Sequence, residues 1–136
     1  MTSKITTLAA AVIAVGLFSG SAMAGENWPA SVVGTWDAIA NQSQLIITIR
    51  SQASSGRCRA ISGTILDVAS KGTSKLVGFY CPATGRFNFA RNDPTSGVTF
   101  QDYSGNVSDI GRTLFMGGIF AQVVQLVGEY SFFAEK

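Results

Sequence analysis

The sequence contains no histidine. That removes the commonest general base, the commonest metal ligand and the usual partner of a nucleophilic serine or cysteine. Cysteine is scarce, with Cys58 and Cys81 alone. Charge is sparse too: charged side chains make up 13% of the chain and the formal net charge is +2, of which Lys4 supplies one. This leaves no basic field for nucleic acid and no run of like charge. A Gly-rich phosphate loop, a metal-ligand cluster and a nucleophile motif are also missing. Asp67, Asp102 and Asp109 could be imagined as an acid pair, but their positions put them at different heights or on different faces. An enzyme is therefore the least favoured reading, and neither a catalytic residue nor a metal ligand is assigned. Little charge implies a compact fold or a surface covered by another subunit.

The one long apolar run stands at the N-terminus. Lys4 supplies a positive end, Ile5 to Phe18 is apolar with small residues, and Ala22-Met23-Ala24 is an A-x-A cleavage site. Residues 1–24 read as a secretory signal peptide, leaving residues 25–136 as one domain. The run is too short for a membrane span and nothing comparable follows it. The expected location is secreted or periplasmic. In an exported chain two cysteines read as a disulfide; the alternative is two unpaired buried thiols.

What the mature sequence has in abundance is alternation. After Trp36 and a polar turn at Asn41-Gln42-Ser43, the residues Leu45, Ile47 and Ile49 share one face, and Gln44, Ile46, Thr48 and Arg50 the other. That is the period of a half-buried strand. Ser43 falls on the apolar face, either as a turn residue or as a hydroxyl at the rim of a barrel mouth. Gly, Asn, Asp and Ser clusters recur about every eight to twelve residues, the spacing of an all-β sandwich or barrel. Eight strands are predicted: Val32–Asp37, Ser43–Arg50, Cys58–Asp67, Lys75–Cys81, Arg86–Arg91, Val98–Ser104, Thr113–Gln122 and Gln125–Phe133. Short connections imply sequential antiparallel neighbours, and closing the meander into an up-and-down barrel removes both exposed edges. If Cys58 faces Cys81, the turn between strands three and four falls near Val68-Ala69-Ser70-Lys71. Strand seven and the residues just after it carry apolar side chains on both faces (Leu114, Phe115, Met116, Ile119, Phe120, Val123, Val124), and Val98 and Phe100 on strand six point the same way. One face belongs inside. The other predicts a subunit interface, hence a homo-oligomer of at least two copies, or else packing under loops.

Taken in order, these motifs resemble the avidin and streptavidin family. Gly34-Thr35-Trp36 followed by Ser43-Gln44-Leu45-Ile46-Ile47-Thr48 is similar to that family's first hairpin. Ile61-Ser62-Gly63-Thr64-Ile65-Leu66-Asp67 and Leu76-Val77-Gly78-Phe79-Tyr80 are similar to its third and fourth strands. Tyr103-Ser104-Gly105-Asn106 and Leu126-Val127-Gly128-Glu129-Tyr130-Ser131-Phe132 resemble its sixth and eighth. The resemblance implies an eight-stranded antiparallel barrel that oligomerises and binds biotin at one open end.

Carried across position by position, the resemblance implies a partial biotin site. Ser43 takes the place of a serine that bonds the ureido oxygen, with Asn41 or Asp37 as the nearby asparagine. Thr99 and Gln101 occupy two positions that carry hydroxyls, and Tyr103 lines the pocket. Other positions depart from the pattern. A tyrosine is replaced by Ile65, a hydroxyl by Asp67, an aspartate by Tyr130, and a tryptophan by Gly117 or Gly118. A second tryptophan falls on Ala90 without a gap, but alternation with Phe87 selects Phe89. Ile65 cannot donate a hydrogen bond, and each missing buried partner costs about 1–3 kcal/mol. The expected function is a small-ligand binder for biotin or a biotin-like molecule with weakened affinity. Asp67 would favour a donor-rich or cationic group. The alternative is a barrel with a degenerate pocket that binds a protein, which closed packing of Phe89, Tyr103 and Tyr130 would favour. No cofactor is expected.

Overall fold

A computed structural model describes residues 28–124 and 127–136. The expected signal peptide lies outside these residues, as do Gln125 and Leu126, where the eighth strand is predicted to begin. The described residues form eight strands: β1 (Gly34–Ala40), β2 (Ser43–Gln52), β3 (Arg59–Asp67), β4 (Thr73–Cys81), β5 (Arg86–Asn92), β6 (Thr99–Ile110), β7 (Thr113–Gln122) and β8 (Gly128–Glu135). Each pairs antiparallel with the next. β8 returns to β1 through Ala38↔Ala134 and its neighbours, which closes the barrel. This is the predicted architecture.

Alternation decides which side chains fill the tube. Trp36, Ala38 and Ala40 of β1, and Leu45, Ile47 and Ile49 of β2, are buried. The width is filled from the opposite wall. Phe89, Tyr103, Phe120 and Tyr130 are direct cross-strand partners on β5 to β8. Their rings stack in sequence at centroid separations of 4.9, 5.2 and 5.3 Å. The next row inward reads Phe87, Gly105, Gly118, Phe132. With two glycines between them, Phe87 and Phe132 meet edge to face at 5.7 Å. Phe132 also stands edge-on to Phe89 and Tyr103. Ring pairs in these geometries add to the area that the rings bury. Alanines on β1 opposite rings on β5 to β8 follow the small-against-large rule of narrow barrels.

The predicted boundaries shift where turn chemistry prevailed over composition. β1 continues to Ala40 because a two-residue turn suffices: Asn41 adopts φ 55°, and Ser43 already pairs with Ala40. β6 passes Ser104 and runs to Ile110. Gly105 reads as a strand end in sequence, yet it belongs mid-strand, where a side chain would strike the backbone of β7. The β3–β4 hairpin keeps the expected register, from Arg59↔Tyr80 to Leu66↔Thr73. Cys58 and Cys81 form a disulfide with Cα atoms 4.0 Å apart.

One end of the tube is closed by the strap of residues 28–33, the first part of which the sequence left outside any strand. Tyr80 Oη donates to Pro29 O (2.6 Å), Gln52 bonds both Ala30 O and Val32 N, and Trp36 Nε1 donates to Val32 O. β7 has the expected double character. Met116 and Phe120 point inward, while Ile119 is 45% exposed outside and Phe115 lies tilted against the outward Phe133 at 5.7 Å.

A Gly118→Ala variant would drive its Cβ into Ser104 O on β6. Its urea midpoint is expected to fall by an amount equivalent to about 1–3 kcal/mol; an unchanged midpoint would contradict the glycine row. Tyr80 gives a pH prediction. Burial pushes its phenol up to about 12, above the ordinary value near 10. The group therefore stabilises the fold fully below about pH 10, and that stability is lost as pH rises toward about 12, because the unfolded chain gives up the proton first. Urea midpoints taken at intervals from pH 9 to pH 12 should fall more steeply for the parent than for Tyr80→Phe.

Candidate functional site at the open mouth

At the end opposite the strap the tube is open. A cleft of about 260 Å³ is lined by Ala40, Asn41, Ser43, Gln101, Phe120, Gln122 and Tyr130. The β1–β2 turn presents Asn41 and Ser43 on one side. β6 and β7 present Gln101 and Gln122 on the other. Phe120 and Tyr130, the last two rings of the stack, supply an apolar wall.

The polar side is built on a buried cation. Arg91 is only 8% exposed. It occupies the inner face of β5 after Phe87 and Phe89, opposite Gln101. Its Nε donates to Ser74 Oγ (3.1 Å) and its Nη1 to Gln101 Oε1 (2.9 Å). The guanidinium lies 5.0 Å from the Phe100 ring centroid, a cation–π arrangement. Both acceptors are neutral, so the charge is solvated by dipoles rather than by a carboxylate. Tyr103 Oη also donates to Gln101 Oε1 (2.8 Å), and Gln101 Nε2 donates to Gln122 Oε1 (2.8 Å). With two donors on its oxygen, the Gln101 amide has one orientation. Burial raises the Tyr103 pKa, with Arg91 opposing, so the phenol remains a donor at neutral pH.

The residues singled out in the sequence divide into groups. Asn41, Ser43, Gln101 and Tyr130 meet in the cleft. Tyr103 and Phe89 are fully buried beneath it as part of the ring stack, and Ile65 is a core residue with no exposed surface. Asp37 pairs with Ile46 on the outer face, which leaves Asn41 as the asparagine of the mouth. One expectation needs correction. Thr99 does not line the cleft. The register slips between Arg91 and Asn92, Thr99 pairs with Asn92, and its hydroxyl donates to Asn92 Oδ1 (2.8 Å). Strict alternation across that bulge placed it wrongly. Asp67 is not part of the cleft lining, but it stands on the inner face of β3 opposite the buried Leu45 and acts electrostatically on Tyr103, while its Oδ1 accepts from the N–H groups of Ala69 and Ser70 in the β3–β4 turn.

Arg91, Gln122 and Phe120 went unassigned to the site. The register of β6 and β7 points to Gln122, since it faces Gln101. The signal for Arg91 was its alternation with Phe87 and Phe89; a charge on an apolar face is a group that the fold must accommodate. Compared with known proteins, the chain matches no protein-family model and no curated protein.

Gln101 holds the mouth together, because it alone accepts from both Arg91 and Tyr103. Gln101→Leu would strand two buried donors, one of them charged, and is expected to destabilise the protein by about 2–3 kcal/mol in urea denaturation. Gln101→Glu, which keeps an acceptor and adds the opposite charge, should lose less. Equal midpoints for the Leu variant and the parent would refute the arrangement.

Proposed function

We propose that the protein binds a small amphiphilic molecule, biotin or a biotin-like compound, in the open mouth of the barrel, with an affinity far below that of the avidin and streptavidin family it resembles. The observation that carries this reading is the meeting of Asn41, Ser43, Gln101 and Tyr130 in one cleft, from three separate parts of the chain. A planar polar head would take hydrogen bonds from Ser43 and Asn41, and an apolar body would lie on Phe120 and Tyr130. The buried Arg91 adds positive charge to the polar side and the Asp67 carboxylate on the inner face of β3 adds negative charge, so a neutral molecule with both donors and acceptors is favoured.

Weak binding follows from the interior. The stacked rings of Phe89, Tyr103 and Phe120 occupy the tube beneath the mouth. A ligand rests on this floor rather than sinking past it, and buries correspondingly less surface. Ile65 offers no hydrogen bond from below. The same packing favours a second reading, in which the pocket is degenerate and the barrel acts as a protein-binding module. For the outer stripe of Ile39, Phe115, Ile119 and Phe133, we propose another copy of the chain as the cover, giving at least a dimer. The disulfide is in keeping with secretion or the periplasm.

Calorimetry with biotin and a panel of small vitamins separates the two readings. Biotin is expected to bind with a Kd of about a micromolar or weaker. Ser43→Ala should weaken binding roughly fivefold, the loss of one neutral hydrogen bond. Binding at nanomolar Kd would overturn the claim of a blocked interior. No heat from any compound would overturn small-ligand binding and leave the protein-module reading.

A further inference from the structure

The closed end of the barrel carries a second cleft, of about 350 Å³, with no part in the mouth. The strap lends Trp28 and Ala30 to its lining, the segment before β3 lends Arg57, β3 lends Arg59, and the β4–β5 turn lends Pro82. Two arginines therefore flank Cys58 in sequence, and Cys58 is bonded to Cys81 at the end of β4. The disulfide pins the Arg57–Arg59 segment beside Pro82. Trp28 is held in turn. Its indole lies against Gly85, where any Cβ would collide with the ring.

Arg59 is the informative residue. It pairs with the buried Tyr80 and continues the inner-face series of Ile61 and Ile65. It is thus an inner-face arginine at the closed end, as Arg91 is at the open end. The two differ in their partners. Arg91 gives its Nε to Ser74 and its Nη1 to Gln101. Arg59 Nε is buried and has no hydrogen-bond partner among the described residues. A buried donor left unpaired is expensive, more so on a cation, and such groups in native proteins call for a bound ion or water. The lining named above contains a second arginine and no acid.

From these features we infer that the closed-end cleft is an anion site, built for a small molecule with a carboxylate or phosphate group on a flat apolar body. The oxyanion takes two N–H groups of the planar Arg59 fork, one of them the Nε, which is closed to solvent in the free protein and opens as the side chain turns onto the anion in the bidentate geometry that guanidinium favours. Arg57, exposed at the edge, adds charge. The indole of Trp28 covers the body of the ligand. Neither the mouth nor its ligand enters into this, so the inference stands apart from the function proposed above.

The test uses the oxidised protein and the fluorescence of Trp28, with Trp28→Phe recording the contribution of buried Trp36. Phenyl phosphate and benzoate are titrated beside inorganic phosphate and neutral benzamide. Phenyl phosphate and benzoate should bind more tightly than inorganic phosphate, benzamide should give no saturable change, and added salt should weaken all binding. Arg59→Gln should weaken phenyl phosphate at least about tenfold, as the loss of a hydrogen bond to a charged group does. If that variant fails to fold, Arg57→Gln, at an exposed position, should still weaken it severalfold. The Cys58→Ala/Cys81→Ala pair should weaken it too, whereas Ser43→Ala at the mouth should leave it unchanged. Equal response to benzamide, or indifference to both arginine substitutions, would overturn the inference in favour of a water on Arg59. A response confined to vesicles of anionic phospholipid would overturn the small-molecule assignment.

Discussion

An eight-stranded barrel has an interior just wide enough to be filled by its own side chains, and most of what this protein does with its sequence follows from that width. The filling is uneven around the wall. β1 contributes Ala38 and Ala40 above Trp36, while β5 to β8 contribute a continuous row of stacked rings. The row can form only because Gly105 and Gly118 stand side by side in the next layer, where Phe87 and Phe132 close over them. Six aromatic side chains and two glycines thus act as one packing unit across four strands. The unit sets the floor of the mouth, and the floor sets how deep any ligand can go.

The fold was legible in the sequence because closure, alternation and hairpin register are local rules repeated eight times. Leu45, Ile47 and Ile49 announce an inner face, and the Cys58–Cys81 pairing predicts the register found from Arg59↔Tyr80 onward. The site was legible only in part. Asn41 and Ser43 line the cleft because a tight turn keeps its residues at the rim. Thr99 was misplaced because one bulge beside Arg91 breaks the two-residue period, and composition carries no mark of a bulge. Asp67 has a use that the sequence did not announce: besides facing inward opposite Leu45, its carboxylate caps the turn N–H groups of Ala69 and Ser70.

Electrostatics gives the two ends of the tube different characters from the same residue type. At the mouth, Arg91 is held by Ser74 and Gln101 and its face is covered by Phe100. Its role is internal: it orients Gln101, which in turn orients Gln122 and receives Tyr103. At the closed end Arg59 has the same inward placement, but its Nε has no hydrogen-bond partner among the described residues. In a chain where charged residues are only 13%, two arginines on the inner wall are a large expenditure of the available charge. The satisfied one explains the mouth, and the unsatisfied one marks where an anion is wanted.

The filled interior also limits how tightly the mouth could hold a ligand. Affinity in a barrel comes from depth, since a buried ligand exchanges its whole surface for protein contacts. Depth and self-packing compete for one volume. Here self-packing holds it: Tyr103 is fully buried and stacked on both sides, and its hydroxyl is committed to Gln101. Restoring depth would mean removing a ring whose stacking, burial and hydrogen bond all support the fold, so a single substitution exchanges stability for cavity. The stack and a deep ligand are mutually exclusive occupants of the tube, and the polar fringe of Asn41, Ser43 and Gln122 is what the mouth leaves open.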